Sequence, residues 1–318
     1  MKILITGISG FVGSHFIEFF LKKKNIELYG IEHKGVKLPK IPGLKNKIKS
    51  YSECGITDFN KLKATLKRIK PDYIIHLAAQ SSPSKSWKAP VDTVRVNIEG
   101  QVNLLEAIRS IRIDPKVIIA GSCEEYGLVK KSELPIRETQ ALRPLNTYAV
   151  SKVAQDFLGY QYYKSYGMKV IRTRPFHHTG PRRPEAFVCS SFAKQIALIE
   201  KGKQKPIIKV GNLSAKRDFT DVRDMVRAYS LVMKKGIAGE VYNISSQSAK
   251  SIQEVLNVLL SLTDRRIKIM KDLARFRPND IPVLIGDSSK LRKITGWKPE
   301  IPLEKTLKDL LEYWRNNV

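Results

Sequence analysis

The sequence predicts an α/β protein: a doubly wound parallel sheet, with a smaller C-terminal lobe. Three observations predict it. Short apolar runs alternate with helical stretches through the first 174 residues. A glycine triplet, Gly7, Gly10 and Gly13, falls between the first apolar run and the first helix. The remaining chemistry-bearing groups fall where strands end or the next helix opens, and ligands of such sheets bind outside the carboxyl ends of the strands. Residues 1–174 are therefore expected as the first domain. Residues 175–318 are expected as a second lobe, with some segments returning to the first.

The elements follow in order. Lys2–Thr6 is a strand, and 10–24 is a helix with Phe11, Val12, Phe16, Phe19 and Phe20 on a broad apolar face. Glu27–Glu32 is the second strand. The Lys-, Pro- and Gly-rich stretch 33–50 reads as an irregular loop before a short third strand. A helix over 59–70 is capped by Thr57 or Asp58 and broken by Pro71. Strand 73–77, a long helix over 91–109, strand Lys116–Ala120 and helix Thr147–Tyr166 come next. A sixth strand over 169–174 is stopped by Pro175. The pattern then loosens. Helices are expected over 186–201, over Val222–Lys235 behind an Asp221 cap, from the Ser251-x-x-Glu254 capping box to about 262, and over 302–316. Val241–Ile244 is a short strand.

With 318 residues, 42% of them hydrophobic, the chain can bury a sizeable core. No apolar run is long enough to span a bilayer, and no signal peptide precedes the first strand. Cys54, Cys123 and Cys189 are scattered without metal-ligand spacing, which fits a reducing cytoplasm and no metal. The net charge of +27 would suit a nucleic-acid or membrane surface. Yet the lysines come in short dispersed groups without interleaved aromatics, so a lysine-rich surface that also attracts anionic metabolites is the favoured reading, with no specific nucleic-acid partner.

The glycine triplet allows a tight turn and close backbone approach to a pyrophosphate, which then faces a helix N-terminus. Phe11 and Val12 lie within the same loop. Glu32 ends the second strand about 20 residues on, where a carboxylate binds ribose hydroxyls and repels a 2′-phosphate, favouring NAD over NADP. His33 and Lys34 could accept that phosphate if Glu32 turns away. Lys152 follows Tyr148 by four residues on one helix face, where its ammonium favours the phenolate. The Ser122 hydroxyl could hold a carbonyl oxygen. A serine at a strand end is also a cap, and a Tyr/Lys pair also packs. Their coincidence with a nucleotide loop describes a pocket in which a nicotinamide passes a hydride to a carbonyl and a phenol passes a proton.

These motifs resemble the extended short-chain dehydrogenase/reductase family, a Rossmann fold. The match runs through Thr6–Gly13, His76-Leu77-Ala78-Ala79-Gln80, Ser122-Cys123-Glu124-Glu125-Tyr126-Gly127, Tyr148–Lys152, Arg174-Pro175-Phe176-His177-His178-Thr179-Gly180-Pro181, Arg217-Asp218-Phe219-Thr220-Asp221 and Arg277-Pro278. Within it the chain is most similar to GDP-4-dehydro-6-deoxy-mannose reductases, which form GDP-rhamnose. The resemblance implies that Tyr148 protonates a C4 ketone, Lys152 lowers its pKa and holds the nicotinamide ribose, and Ser122 polarises the ketone. It places Leu77, Ala78 and Ala79 along an NAD(P)H, Gly55 and Ile56 beside its adenine, Pro175 and His178 at the cofactor, and Asn97 in the proton relay or the helix backbone there. It assigns Arg183, Arg217 and Arg277 to the diphosphate, Asn212 and Asp280 to the guanosine, and Glu124 and His177 to the sugar. It also implies a homodimer through helices 91–109 and 147–166.

Three positions depart from the pattern. Gly55 stands for an aspartate, His177 for an asparagine, and Cys123 for the aspartic acid of glucose-type dehydratases. Glu124 matches the base of GDP-mannose 4,6-dehydratases and keeps a lyase as the alternative. The loop Gly10-Phe11-Val12-Gly13, in place of Gly-Gln-Asp-Gly, and the motif around Arg174 favour the reductase. A sugar-nucleotide 4-epimerase and a non-catalytic nucleic-acid-binding relative rank below both.

Overall fold

In the first strand, Ile3 and Ile5 point into one hydrophobic core and Leu4 into another, so the sheet it belongs to must be covered on both faces. A computed structural model describes residues 1–36, 38, 39, 41, 48–276 and 281–318. Its first part runs β1 (Lys2–Thr6), α1 (Phe11–Leu21), β2 (Glu27–Glu32), β3 (Ile48–Glu53), α2 (Phe59–Ile69), β4 (Tyr73–His76), α3 (Pro83–Lys88), α4 (Pro90–Val94), α5 (Gly100–Ser110), β5 (Lys116–Ala120), α6 (Thr147–Tyr166) and β6 (Val170–Pro175). There follow β7 (His177–Thr179), α7 (Val188–Glu200), β8 (Ile207–Val210), β9 (Lys216–Asp221), α8 (Val222–Lys235), β10 (Val241–Ile244), β11 (Ala249–Ser251), α9 (Ile252–Leu260), β12 (Lys268–Lys271), β13 (Val283–Leu284), α10 (Ser289–Thr295) and α11 (Leu303–Arg315).

Seven strands form one parallel sheet in the order β10-β6-β5-β4-β1-β2-β3. The strand order reverses between β1 and β4, which opens a crevice at their carboxyl ends. One face is covered by Phe16, Ile17 and Phe20 of α1 and by Met225, Tyr229 and Val232 of α8. The other is covered by Leu62 and Leu66 of α2, Leu104 and Leu105 of α5, and Tyr162 of α6. Strand β10 and helix α8 therefore return to the first sheet from beyond Pro175.

A third core gathers Phe192 and Ile196 of α7, Ile208 of β8, Val255 and Leu259 of α9, and Leu307 and Leu311 of α11. It lies beside a small sheet in which β9 pairs with β7, β11 and β13. Six short strands here, β7, β8, β9, β11, β12 and β13, have no counterpart among the expected elements. They span two to six residues, and β9 reads Lys-Arg-Asp-Phe-Thr-Asp, so no apolar period marks them.

The helix expected over 91–109 is interrupted. After α4 the chain makes a π-helical turn at Arg95–Glu99 before α5. Pro175 does not stop β6 but forms its last pair, with Ile244. Asp58, not Thr57, caps α2, accepting from the Lys61 amide at 3.1 Å. Among the described residues no helix is long and apolar enough to cross a membrane, and no group of three or more His, Cys, Asp or Glu could hold a metal ion.

Candidate active site

The first βα turn is shaped by what it lacks. A Cβ on Gly13 would lie 2.4 Å from the Ile8 carbonyl oxygen and 2.6 Å from that of Gly7, both backbone atoms. Gly7 itself adopts φ +71°, open to glycine at no steric cost. The loop therefore closes tightly and leaves the α1 N-terminus facing a cavity of about 560 Å³ at the strand switch point. Gly7, Gly10, Phe11, Val12, Gly13, Glu32, Gly55, Ile56, Leu77, Ala78, Ala79, Tyr148, Lys152, Pro175 and His178 all line it. Glu32 accepts hydrogen bonds from the Ser9 hydroxyl at 2.5 Å and the Ser9 amide at 3.3 Å, so its carboxylate is tied to the glycine loop.

Asn97 does not line this cavity. It is fully buried in the π-helical turn. Its amide oxygen accepts from the Gln80 amide at 2.7 Å, and its nitrogen donates to the Gln80 carbonyl at 3.1 Å and the Ser151 hydroxyl at 2.8 Å. Ser151 donates in turn to the Tyr148 carbonyl at 2.7 Å. Asn97 thus reaches the backbone behind Tyr148 through Ser151.

Ser122, Tyr148 and Lys152 come together at the carboxyl end of β5. The Asn146 side chain caps α6 by accepting from the Ala149 amide at 2.8 Å, which fixes the helix start at Thr147, one residue before Tyr148. The Ser122 hydroxyl stands beside the Tyr148 phenol. Ser122 is a cap as well, taking the Glu124 amide at 3.2 Å while its own amide donates to Glu125 at 2.7 Å. Lys152 lies one helical turn further on. Its ammonium donates to the Ala120 carbonyl at 2.8 Å and sits 5.9 Å from the Tyr148 ring centre.

The electrostatics correct one expectation. The phenol of Tyr148 stands above its usual value, not below it. Burial pushes it well above the usual tyrosine value, the neighbouring Ser122 side chain offsets part of this, and the Glu124 carboxylate adds to the rise. Burial also acts on Lys152, bringing its ammonium down to about 8 against the pull of Glu125. Tyr148 therefore holds its proton firmly in the folded chain, as a proton donor must.

Glu125 was not anticipated, although Ser122-x-x-Glu125 has capping-box spacing. It is fully buried, 3.0 Å from Arg174, which also meets Asp156 at 2.9 Å. Burial and the neighbouring Asp156 carboxylate push Glu125 far above the ordinary carboxylate range. Tyr229, which reaches the cofactor cavity from α8, was also missed, because its helix is 80 residues from the catalytic motif and its contact is purely tertiary.

A second cavity of about 660 Å³ adjoins the first and is lined by His177, Asn212 and Arg217. His178 and Arg183 line both. Arg183 places its guanidinium 4.8 Å from the Phe11 ring centre and 3.4 Å from that of Phe187, and burial brings it down to about 10. His177 stands 4.0 Å from Glu124 and 3.8 Å from the Cys123 thiol, edge-on to Phe219. Glu124 is itself buried, with Asn146 donating to it at 3.4 Å. Arg217 donates to the Ile281 carbonyl at 2.7 Å, and Asn212 accepts from the Ser214 hydroxyl at 2.8 Å. Arg277 and Asp280 lie outside the described residues. Lys194, Gln195 and Arg275 also line this cavity and carried no sequence signal beyond their charge or polarity.

Comparison with known proteins agrees with this geometry. A family model described as GDP-mannose 4,6 dehydratase matches residues 4–310. GDP-6-deoxy-D-mannose reductase of Pseudomonas aeruginosa is 32% identical over all of this chain and 98% of its own length. GDP-mannose 4,6 dehydratase 1 of Arabidopsis thaliana is also 32% identical, over 97% of this chain and 88% of its own. Among solved structures, RMD from Pseudomonas aeruginosa complexed with NADPH superimposes with a TM-score of 0.88 at 31% identity, covering 100% of this chain and 99% of that one.

Proposed function

The chain belongs to the GDP-mannose 4,6-dehydratase family of extended short-chain dehydrogenases/reductases, and from that premise we propose that it reduces the C4 ketone of GDP-4-dehydro-6-deoxy-D-mannose to give GDP-D-rhamnose. The observation that carries the reading is Tyr148. Its phenol is buried, protonated and beside Ser122 in the dinucleotide cleft, and it acts electrostatically on Arg183, which lines both that cleft and the larger cavity. The residues fit a nicotinamide dinucleotide, since the glycine loop leaves no room for any side chain where a pyrophosphate would approach. When bound, the reduced nicotinamide supplies a hydride.

This chain's residues do the rest. Ser122 and Tyr148 receive the ketone oxygen, and Tyr148 passes it a proton, a step worth roughly 10²–10⁴-fold. The Lys152 ammonium stabilises the phenolate left behind. Arg183 and Arg217 take the diphosphate, for which guanidinium geometry is suited. Glu32 at the adenosine end favours a free ribose hydroxyl and hence NADH. In this reading residues 1–174 mainly hold the cofactor and 175–318 mainly the sugar nucleotide, with 222–244 returned to the first sheet. The working form is a homodimer joined through α4, α5 and α6.

One observation favours a second reading. The Glu124 carboxylate is close enough to Tyr148 to raise its pKa, so a base for water elimination stands at the site. A single assay separates the two. The reductase consumes NADH or NADPH only when given the 4-keto sugar, and Tyr148→Phe abolishes that consumption while still binding cofactor. Conversion of GDP-mannose without net cofactor use would instead establish the dehydratase.

A further inference from the structure

The loop 180–183 is fastened to the helix that faces the cofactor. Phe11, Ser14, His15 and Glu18 lie on one face of α1, at three- and four-residue spacing. Arg182 reaches across to this face from the loop. Its Nε donates to Ser14 Oγ at 3.0 Å, and its two terminal nitrogens grip the Glu18 carboxylate at 2.9 and 2.6 Å. One of them also reaches His15 Nδ1 at 3.0 Å. Because arginine can only donate, Nδ1 accepts, and the Nε2–H of His15 is left to donate to the Pro181 carbonyl at 2.9 Å.

The backbone shows that this clasp holds something. Arg182 has φ +69°, a left-handed conformation that costs a residue with a Cβ free energy and persists only where its surroundings enforce it. The next residue, Arg183, lines both cavities. The first turn of α1 continues the contact, since Phe11 stacks on His178 with ring centres 6.0 Å apart and lies beneath the Arg183 guanidinium. The helix end that faces a pyrophosphate and the arginine at the mouth of the second cavity are thus joined through one residue that touches neither cavity.

We propose that Arg182 is a positioning residue that couples the two cavities, so that filling the cofactor cleft sets Arg183 for the sugar nucleotide and the reverse. This rests on the reading of the second cavity as the sugar-nucleotide site. Coupling needs two states of differing affinity, here the clasped loop and a loop relaxed from its left-handed backbone. By linkage each ligand must tighten the other by the same factor.

The test is calorimetric titration with GDP, which carries no ketone and does not turn over, with and without saturating NADH. In the wild type, NADH should tighten GDP binding by about 5-fold or more, with the same factor returned to NADH by GDP. Arg182→Gly removes the clasp but keeps the backbone free to adopt φ +69°. It should cut the factor below about 2 while leaving NADH binding alone within about 3-fold of the wild type. Glu18→Gln, which keeps the shape and removes the charge, should lower the factor in the same direction. An unchanged factor in both variants overturns the proposal, and so does a wild type that binds GDP equally with and without NADH, although the functional reading then stands. A wild type that binds no GDP in either state removes the functional reading itself and this inference with it.

Discussion

Lys152 buries its ammonium against the Ala120 carbonyl, and desolvation brings it down to about 8 from 10.5. Below about pH 8 the group is charged in both the folded and unfolded chain, and the folded state bears the cost of burying that charge. Between about 8 and 10.5 the unfolded chain binds the extra proton, so this group's contribution to stability rises with pH while its charge at the site disappears. The charge is what steadies a Tyr148 phenolate. The kcat/KM profile should therefore fall on its alkaline side near pH 8. Lys152→Arg, whose charge persists to far higher pH, should lose that limb although overall activity drops about tenfold or more. A limb that stays at the same pH in the arginine variant would assign the titration to another group. Tyr148 and Lys152 were legible as a pair because four residues is a helical turn. Their pKa directions were not, since burial sets both.

At the scale of the element, helix α1 does more than its glycine loop announces. Its N-terminus faces the cofactor cleft, its buried face supports the sheet through Phe16 and Phe20, and its third face carries the Arg182 clasp. Gly13 is where these demands meet, because its missing side chain would overlap two loop carbonyls. Gly13→Ala should move the helix start, weaken NADH binding by about tenfold or more, equivalent to about 1.4 kcal/mol, and leave the fold intact by circular dichroism. Undiminished NADH affinity would show that the loop is not the pyrophosphate cradle. The π-helical turn at Arg95–Glu99 illustrates what an element conceals in sequence. Its residues read as continuous helix, and only the engagement of Asn97 with Gln80 and Ser151 gives the extra residue a reason.

Across the whole molecule, two features have no local cause. Strand β10 and helix α8 leave the second lobe to complete the first sheet, so the cofactor cleft includes Tyr229 from beyond the expected boundary at residue 174. Helices α4 and α6 carry large apolar side chains in the open, with Val91 76% and Phe157 56% exposed, joined by Val94 and Val150. Such a face suits a second copy of the chain. Phe157→Asp should shift sedimentation equilibrium from twice the chain mass to the chain mass. A wild type that sediments as a monomer would exclude the homodimer.

The sequence by itself determined the alternation of strands and helices, the glycine turn, the Ser251-x-x-Glu254 capping box and the order Ser122, Tyr148, Lys152. Each depends on neighbours within a few residues or on a regular period, which a linear chain displays. Tertiary structure alone decided that burial, not Lys152, governs the Tyr148 proton, that Glu125 stands behind Lys152, that Glu124 meets His177, and that Arg182 grips a helix more than 160 residues away in the chain. Desolvation and long-range ion pairing are properties of what surrounds a group in space, and no spacing along the chain encodes that.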